Sequence, residues 1–447
     1  MKKDRTPKPW AAKGHDQEGV INLLALLAAF SLLLSVSVTG SDAATIYANT
    51  PSYSDVSSAI LSATSGDIVV VPPGAAVWTS ALKITKGLTL QGAGVGNTVI
   101  AGDATPSFDY TSAVIINYAP TNPSLNEPFR VTGFTFDGNW KVGCISFIRA
   151  SYTNSTYITN VRVDHNYFQN CGNTSFPARA LLVDGLTFGV IDHNTFLNNQ
   201  KTADFEISDA FGWAVPPTVG GPNYMYFEDN DITNNDSRVS AITSGGQGGR
   251  YVVRHNTINT ISANADNQHY DAHGTLGGNR GTVAVEIYNN TLTTKAAAWQ
   301  FLDHRGGTAR IFNNKIIKPS SDILFEMREE DGAGYPALDQ VKDAFYFNNT
   351  YGPTTGQENT GAPQVRSGSE FWIQLNRDYW TPASGVEADR PGTCSTDTYY
   401  GATDTGKLYK CQPANTWMLQ YASYTYPHPL TQMDQQSPNA PTGLKVK

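Results

Sequence analysis

The chain has 447 residues, only 16% of them charged, with 40 Gly, 24 Pro, 22 Tyr, 19 Phe and a formal net charge of −8. So much turn-forming and aromatic residue with so little charge is the mixture of an all-β extracellular protein, not of a helical cytosolic one. The negative balance, without any basic stripe, argues against a nucleic-acid partner and against unaided binding of a polyanion.

Residues 1–43 read as a targeting segment. Lys2, Lys3, Arg5, Lys8 and Lys13 are followed by an apolar run from Val20 to Val38, and Ser41-Asp42-Ala43 has the small-x-small form of a cleavage site. The run is long enough to anchor in a membrane. The small residues that close it favour cleavage, which leaves no membrane attachment and places the mature chain in the periplasm, outside the cell or at its surface. Ser54-Asp55 ahead of Val56, Ile60 and Leu61 predicts a short amphipathic helix, suited to covering an open first coil. Residues 66–74 read as a buried strand ending in a turn, and residues 83–94 as the start of a stack.

The informative pattern then begins. Val163-Asp164-His165-Asn166-Tyr167-Phe168 recurs around Asn194, Asn230, Asn256, Asn290, Asn314 and Asn349, at spacings of 28, 36, 26, 34, 24 and 35 residues. A period of about 30 suits one solenoid coil with variable loops. Asn tolerates the left-handed backbone that a sharp corner needs, and stacked Asn amides hydrogen-bond in a ladder. The reading is therefore a parallel β-helix over residues 44–350, an irregular C-terminal cap over 351–435 and a Pro-rich tail over 436–447. The spacing of the four cysteines suggests two local disulfides, Cys144–Cys171 and Cys394–Cys411, out of three formal connectivities.

The opening at residues 66–94, Gly133-Phe134-Thr135-Phe136-Asp137-Gly138 and the Asn-bearing coils together resemble the pectate-lyase-like family of right-handed parallel β-helix proteins. That resemblance implies the fold over roughly residues 45–350. It does not imply one reaction, since the family holds lyases, hydrolases, epimerases, tailspikes and adhesins. The vWiDH-type and Arg-x-Pro-x-x-Arg segments of pectate lyases are absent, as is the polygalacturonase set of Asn-Thr-Asp, Asp-Asp and Gly-His-Gly.

Chemistry is sought downstream of the ladder. Twelve or thirteen residues after successive Asn stand Arg179, Glu206, Thr243, Asp303 and Glu326, and the looser coil after Asn256 offers Asp271 and His273. Strand alternation turns Glu206, Thr243, Asp271, His273, Asp303, Arg305, Glu326 and Arg328 outward on one sheet. They are expected to line an exposed groove, with coils about 4.8 Å apart matching the units of an extended polysaccharide. Trp299 shares the Asp303 face and reads equally as a sugar platform or a core aromatic.

A lyase acting by β-elimination on an acidic polysaccharide would use His273 as base, Arg305 and Arg328 to neutralise a uronate, and Asp271 and Asp303 beside them. A hydrolase on the same groove would draw a carboxyl pair from Asp271, Asp303 and Glu326. Glu206, Thr243, Trp299, Glu326 and Arg328 are then substrate contacts. A non-catalytic glycan-binding or adhesin-type surface protein is the third reading, and plain solvated ion pairs are the structural alternative to all three. His165, His193 and His255 each precede a ladder Asn and read as corner residues. No cofactor is demanded. Asp229, Asp231 and Asp236 offer hard oxygens for calcium, although an Asx-rich turn accounts for them as well.

Overall fold

The computed structural model describes residues 43–148, 156–173, 175, 178–207, 209–215, 218–238, 241–260, 268–275, 278–294, 300–317, 324–330, 334–353 and 359–436. The leader, Trp299 and the end of the tail lie outside them.

Short runs of β-branched and aromatic residues, broken by polar corners, cannot continue as long strands and instead turn every few residues. Each coil places one strand in each of three sheets, which hold 12, 11 and 10 strands among the described residues and are parallel except for the end strand Asn359–Thr360. In one coil these are Thr187–Asp192, Thr195–Leu197 and Lys201–Glu206. The molecule is a right-handed parallel β-helix, the hand that a twisted strand imposes on a parallel crossover.

Inward residues stack in columns. Phe136, Phe168, Phe196, Ile232, Ile258, Leu292 and Ile316 pair in register along the second sheet. The Phe rings stack at 5.4 and 5.0 Å. Burying one such side chain stabilises the stack by about 1.5–3 kcal/mol.

The Asn ladder is continuous. Each Nδ2 donates to the Oδ1 of the next, from Asn166 through Asn194, Asn230, Asn256, Asn290 and Asn314 to Asn349, at 2.9–3.1 Å. The same amide also donates to backbone carbonyls of its own and the preceding coil, as Asn256 does to Arg254 and Phe227. One expectation changes: the ladder Asn is not the left-handed residue. That conformation falls on the residue before it, with φ of 50–57° at His165, His193, Asp229, His255, Asn289, Asn313 and Asn348. The preceding residue makes the bend, which aims the Asn amide inward at carbonyls that would otherwise be buried without a donor.

Helix α1, Tyr53–Ser62, is capped by Ser52, whose hydroxyl accepts from the Asp55 amide. It buries Val56, Ala59 and Ile60, whereas Leu61 is 77% exposed. A 3.6-residue period puts positions 56, 59 and 60 on one stripe and carries 61 past it.

The parallel sheets run beyond residue 350. Pro363–Val365 pair with Phe325–Met327, and Tyr379–Trp380 with the strand Ala344–Phe347. A four-stranded sheet (Ala383–Gly385, Tyr399–Ala402, Lys407–Cys411, Trp417–Ala422) follows. The cysteines pair as Cys144–Cys171 and Cys394–Cys411, with Cα separations of 5.7 and 6.0 Å. The chain then returns along the first sheet as a strap. Buried Arg254 donates to the Tyr424 and Thr425 carbonyls, and its partner Glu228 accepts from the His428 amide. Among the described residues no helix is long and apolar enough to cross a membrane.

The first sheet's outer face also carries Arg130–Asp164 at 2.5 Å. Burial alone would raise the Asp164 carboxyl, but hydrogen bonds from Arg130 and His165 and the charges of Arg130 and Arg162 outweigh it and hold it at about 2. A carboxyl depressed on folding adds stability above its unfolded value, near 3.8, that is lost as pH falls toward 2. That component amounts to about 2 kcal/mol. Asp164→Asn should therefore flatten the fall in urea midpoint between pH 4 and pH 2, and an unchanged acid slope would contradict it.

Candidate active site

The third sheet carries the expected residues, and strand register fixes their order. One outward column runs Asp204, Ser244, Asp271, Asp303, Glu326, Gln364 on consecutive coils. Two residues further along each strand runs a second column: Asp184, Glu206, Gly246, His273, Arg305, Arg328, Arg366. Its first members pair directly. Its later ones continue the ladder through Arg305 N–H to the Ala272 carbonyl, Arg328 to His304 and Arg366 to Met327.

Thr243 belongs to neither column. It pairs with Ala203 and Tyr270, faces the core and is fully buried, while Ser244 takes the outward place. The offset from a ladder Asn to the outward column varies with the length of the intervening turn. A fixed count of thirteen therefore lands on the wrong face in that coil.

The two columns are stitched by a staircase of ion pairs in which each Arg reaches back one coil. Arg305 grips both oxygens of Asp271 at 2.6 Å, Arg328 meets Asp303 at 2.7 Å, and Arg366 meets Glu326 at 2.5 Å. Arg305 also meets Asp303 at 3.3 Å and Glu330 at 2.8 Å. Gln300 donates to Glu326. These charges do not line an open groove. Asp303 is 0% exposed, and Asp271, Arg305 and Glu326 are buried. Burial pushes the Asp303 carboxyl up, against the pull of Arg305 and Arg328. With three carboxylates on one guanidinium, Arg305 has no net positive charge to offer a substrate.

Chemistry that is still available sits two coils earlier. Glu206 is half-buried and its carboxyl is pushed up to about 7, first by burial and then by the charges of Asp204 and Asp184, against Arg179 and Lys201. Gln247 donates to it at 3.2 Å, and Asn279 donates to Gln247 at 3.4 Å. On the next coil of the same column stands Gly246, and beyond it His273. A Cβ placed on Gly246 would meet the His273 Cβ at 3.6 Å, so the missing side chain leaves a notch between acid and imidazole. His273 Nδ1 lies 2.9 Å from the Gly274 carbonyl, which can only accept. The Nδ1 proton is thereby assigned, and Nε2 carries the lone pair.

His273 opens a loop that closes on itself, since the Thr282 amide donates back to the His273 carbonyl at 2.7 Å. Buried Asp339 pins that loop by accepting from the Gly281 amide at 2.8 Å and the Thr275 hydroxyl at 3.0 Å. Arg280 lies 5.3 Å over the ring of Trp213, whose indole N–H donates to the Gly281 carbonyl. Trp213, Gln247, Asn279, Arg280 and Asp339 were not read from the sequence. In the sequence only the Gly-rich stretch 245–249 marks this place, and such a stretch by itself signals a turn.

The residues proposed for calcium do not fit a metal. Asp229 accepts from the Tyr426 hydroxyl and Asp236 is paired with Arg238. Among the described residues no group of three or more His, Cys, Asp or Glu is placed to hold an ion.

No family model matches the chain, and no curated protein does. Solved structures do. An alginate lyase from Paenibacillus sp. str. FPU-7 is 14% identical, over 72% of this chain and 99% of that one, with a TM-score of 0.41. Geobacillus virus E2 ORF18 is 11% identical over 92% and 90%, at 0.39. A Yersinia enterocolitica family 28 exopolygalacturonase is 11% identical over 76% and 78%, at 0.38. At this level of likeness the activity of the β-helix has to be argued from its own residues.

Proposed function

We propose that this β-helix is an exported polysaccharide-cleaving enzyme, and that it works as a lyase at the notch over Gly246. The observation that carries the reading is the pairing of a near-neutral carboxyl, Glu206, with an imidazole whose free nitrogen is set by Gly274. A carboxyl raised to about 7 and an imidazole with a directed lone pair, on either side of one gap, supply the acid and the base that β-elimination needs. His273 Nε2 takes the proton α to a uronate carboxylate. The electron pair forms the new carbon–carbon double bond, the glycosidic C–O bond breaks, and Glu206 gives its proton to the departing oxygen. Arg280, at the closing end of the His273 loop, brings positive charge to the substrate carboxylate. Asp271, Asp303 and Arg305 hold the sheet that positions His273. The two disulfides fit an oxidising compartment.

Hydrolysis is the second reading, favoured by the surplus of carboxylates on this face, which suits a neutral glycan. Glu206 remains the acid and His273 activates water.

The test is incubation of the protein with alginate, polygalacturonate, xylan and mixed-linkage β-glucan. Unsaturated chain ends support the lyase. New reducing ends without unsaturation support hydrolysis. Neither product from any of them sinks the enzyme reading.

A further inference from the structure

We infer that Tyr335 and Phe371 form a prebuilt platform for sugar rings at the end of the third-sheet columns; the identity of its ligand rests on the glycan reading above. Tyr335 is 44% exposed and Phe371 60%, with ring centroids 6.5 Å apart and nearly perpendicular. Set side by side in water, the two rings offer apolar faces of the kind that sugar C–H faces pack against.

The platform is rigid. The Tyr335 hydroxyl donates to buried Asp378 at 3.2 Å, and the Arg377 guanidinium lies 3.9 Å over one face of its ring. Arg377 also donates to the Asp378 carboxylate at 2.8 Å, the Trp372 carbonyl at 2.6 Å and the Phe371 carbonyl at 3.2 Å. Trp372 donates its indole N–H to the Gly334 carbonyl at 2.8 Å. Five hydrogen bonds and a cation thus fix two loops so that two rings stay outside, which lowers the ordering cost of binding.

The occupant follows from position and size. Arg366 closes the last step of the ion-pair staircase, and three residues later the Ser369 hydroxyl accepts from the Glu329 amide, just before Phe371. A glycan lying over the second column, advancing about 4.8 Å per coil, would reach the segment that carries Phe371 once past Arg366. Two rings cover far less than the roughly 800 Å² per partner that a stable protein interface needs. The C–H face of a pyranose against an aromatic face, with Arg377 at the edge for its hydroxyls, fits that area.

Affinity electrophoresis of the full chain in gels holding alginate, polygalacturonate, xylan or mixed-linkage β-glucan tests this. At least one polymer should retard the wild type. Phe371→Ala, an exposed change, and Tyr335→Ala/Phe371→Ala should weaken that retention about tenfold or more, and Phe371→Trp should keep it. Circular dichroism checks that the variants fold. The inference is overturned by equal retention of wild type and both alanine variants, or by no retention on any polymer. It is also overturned if the substitutions instead abolish a dimer seen by analytical ultracentrifugation. Its failure is separable from that of the enzyme reading. Platform-dependent retention without any product leaves the platform standing and removes the lyase, and product formation with unaltered retention does the reverse.

Discussion

Replacing His273 with alanine should lower turnover by about 10²- to 10⁴-fold, the usual worth of a positioned proton-transfer group. The side chain is half-buried and its hydrogen bond is to its own neighbour, so unfolding free energy should move by less than about 1 kcal/mol. Glu206→Gln should cost a similar factor, because the amide has no proton to give the leaving oxygen. The pH profile separates the two roles. Glu206 titrates near 7, so wild-type turnover should fall as pH rises through that value and the acid is lost. In Glu206→Gln the residual activity should lack that alkaline limb. Full turnover in His273→Ala, or an unchanged alkaline limb in the glutamine variant, would remove both residues from the mechanism.

Arg305→Ala should destabilise the fold by about 3–5 kcal/mol, the cost of leaving a buried partner charge uncompensated. Its loss strands Asp271, gripped through both oxygens, and weakens the hold on Asp303. At an exposed outward strand position the same change would cost less than about 0.5 kcal/mol. Burial of the ion-pair staircase reverses that expectation. Combining Arg305→Ala with Asp271→Asn should recover part of the loss, since the amide is cheaper to bury than the carboxylate. Urea unfolding of the three variants measures it. A single-variant change below about 1 kcal/mol would mean that the pair is solvated after all. If turnover falls in Arg305→Ala under conditions where it stays folded, the cause should be displacement of His273 on the neighbouring coil. The KM for a uronate substrate should then change less than kcat.

The sequence by itself determined the solenoid, because each coil repeats the same local demand: a short apolar strand, a bend, an inward Asn and another apolar strand. It also determined the capping helix and both disulfides, which join residues near in sequence and constrained by the same coil geometry. The outward side of Asp271, Asp303 and Glu326 was legible for a related reason, since alternation within one strand is local. Tertiary structure decided what depends on the neighbouring coils. It placed the left-handed bend on His165 and its equivalents and turned Thr243 inward in favour of Ser244. It set Arg305, Arg328 and Arg366 on carboxylates one coil back. Only there does the candidate site appear: the Glu206 carboxyl is raised by burial and then by Asp204 and Asp184, and Gly246 matters because of what stands on either side. Loop lengths between the sheets vary from coil to coil, so a count along the chain loses the register that backbone hydrogen bonds between coils restore.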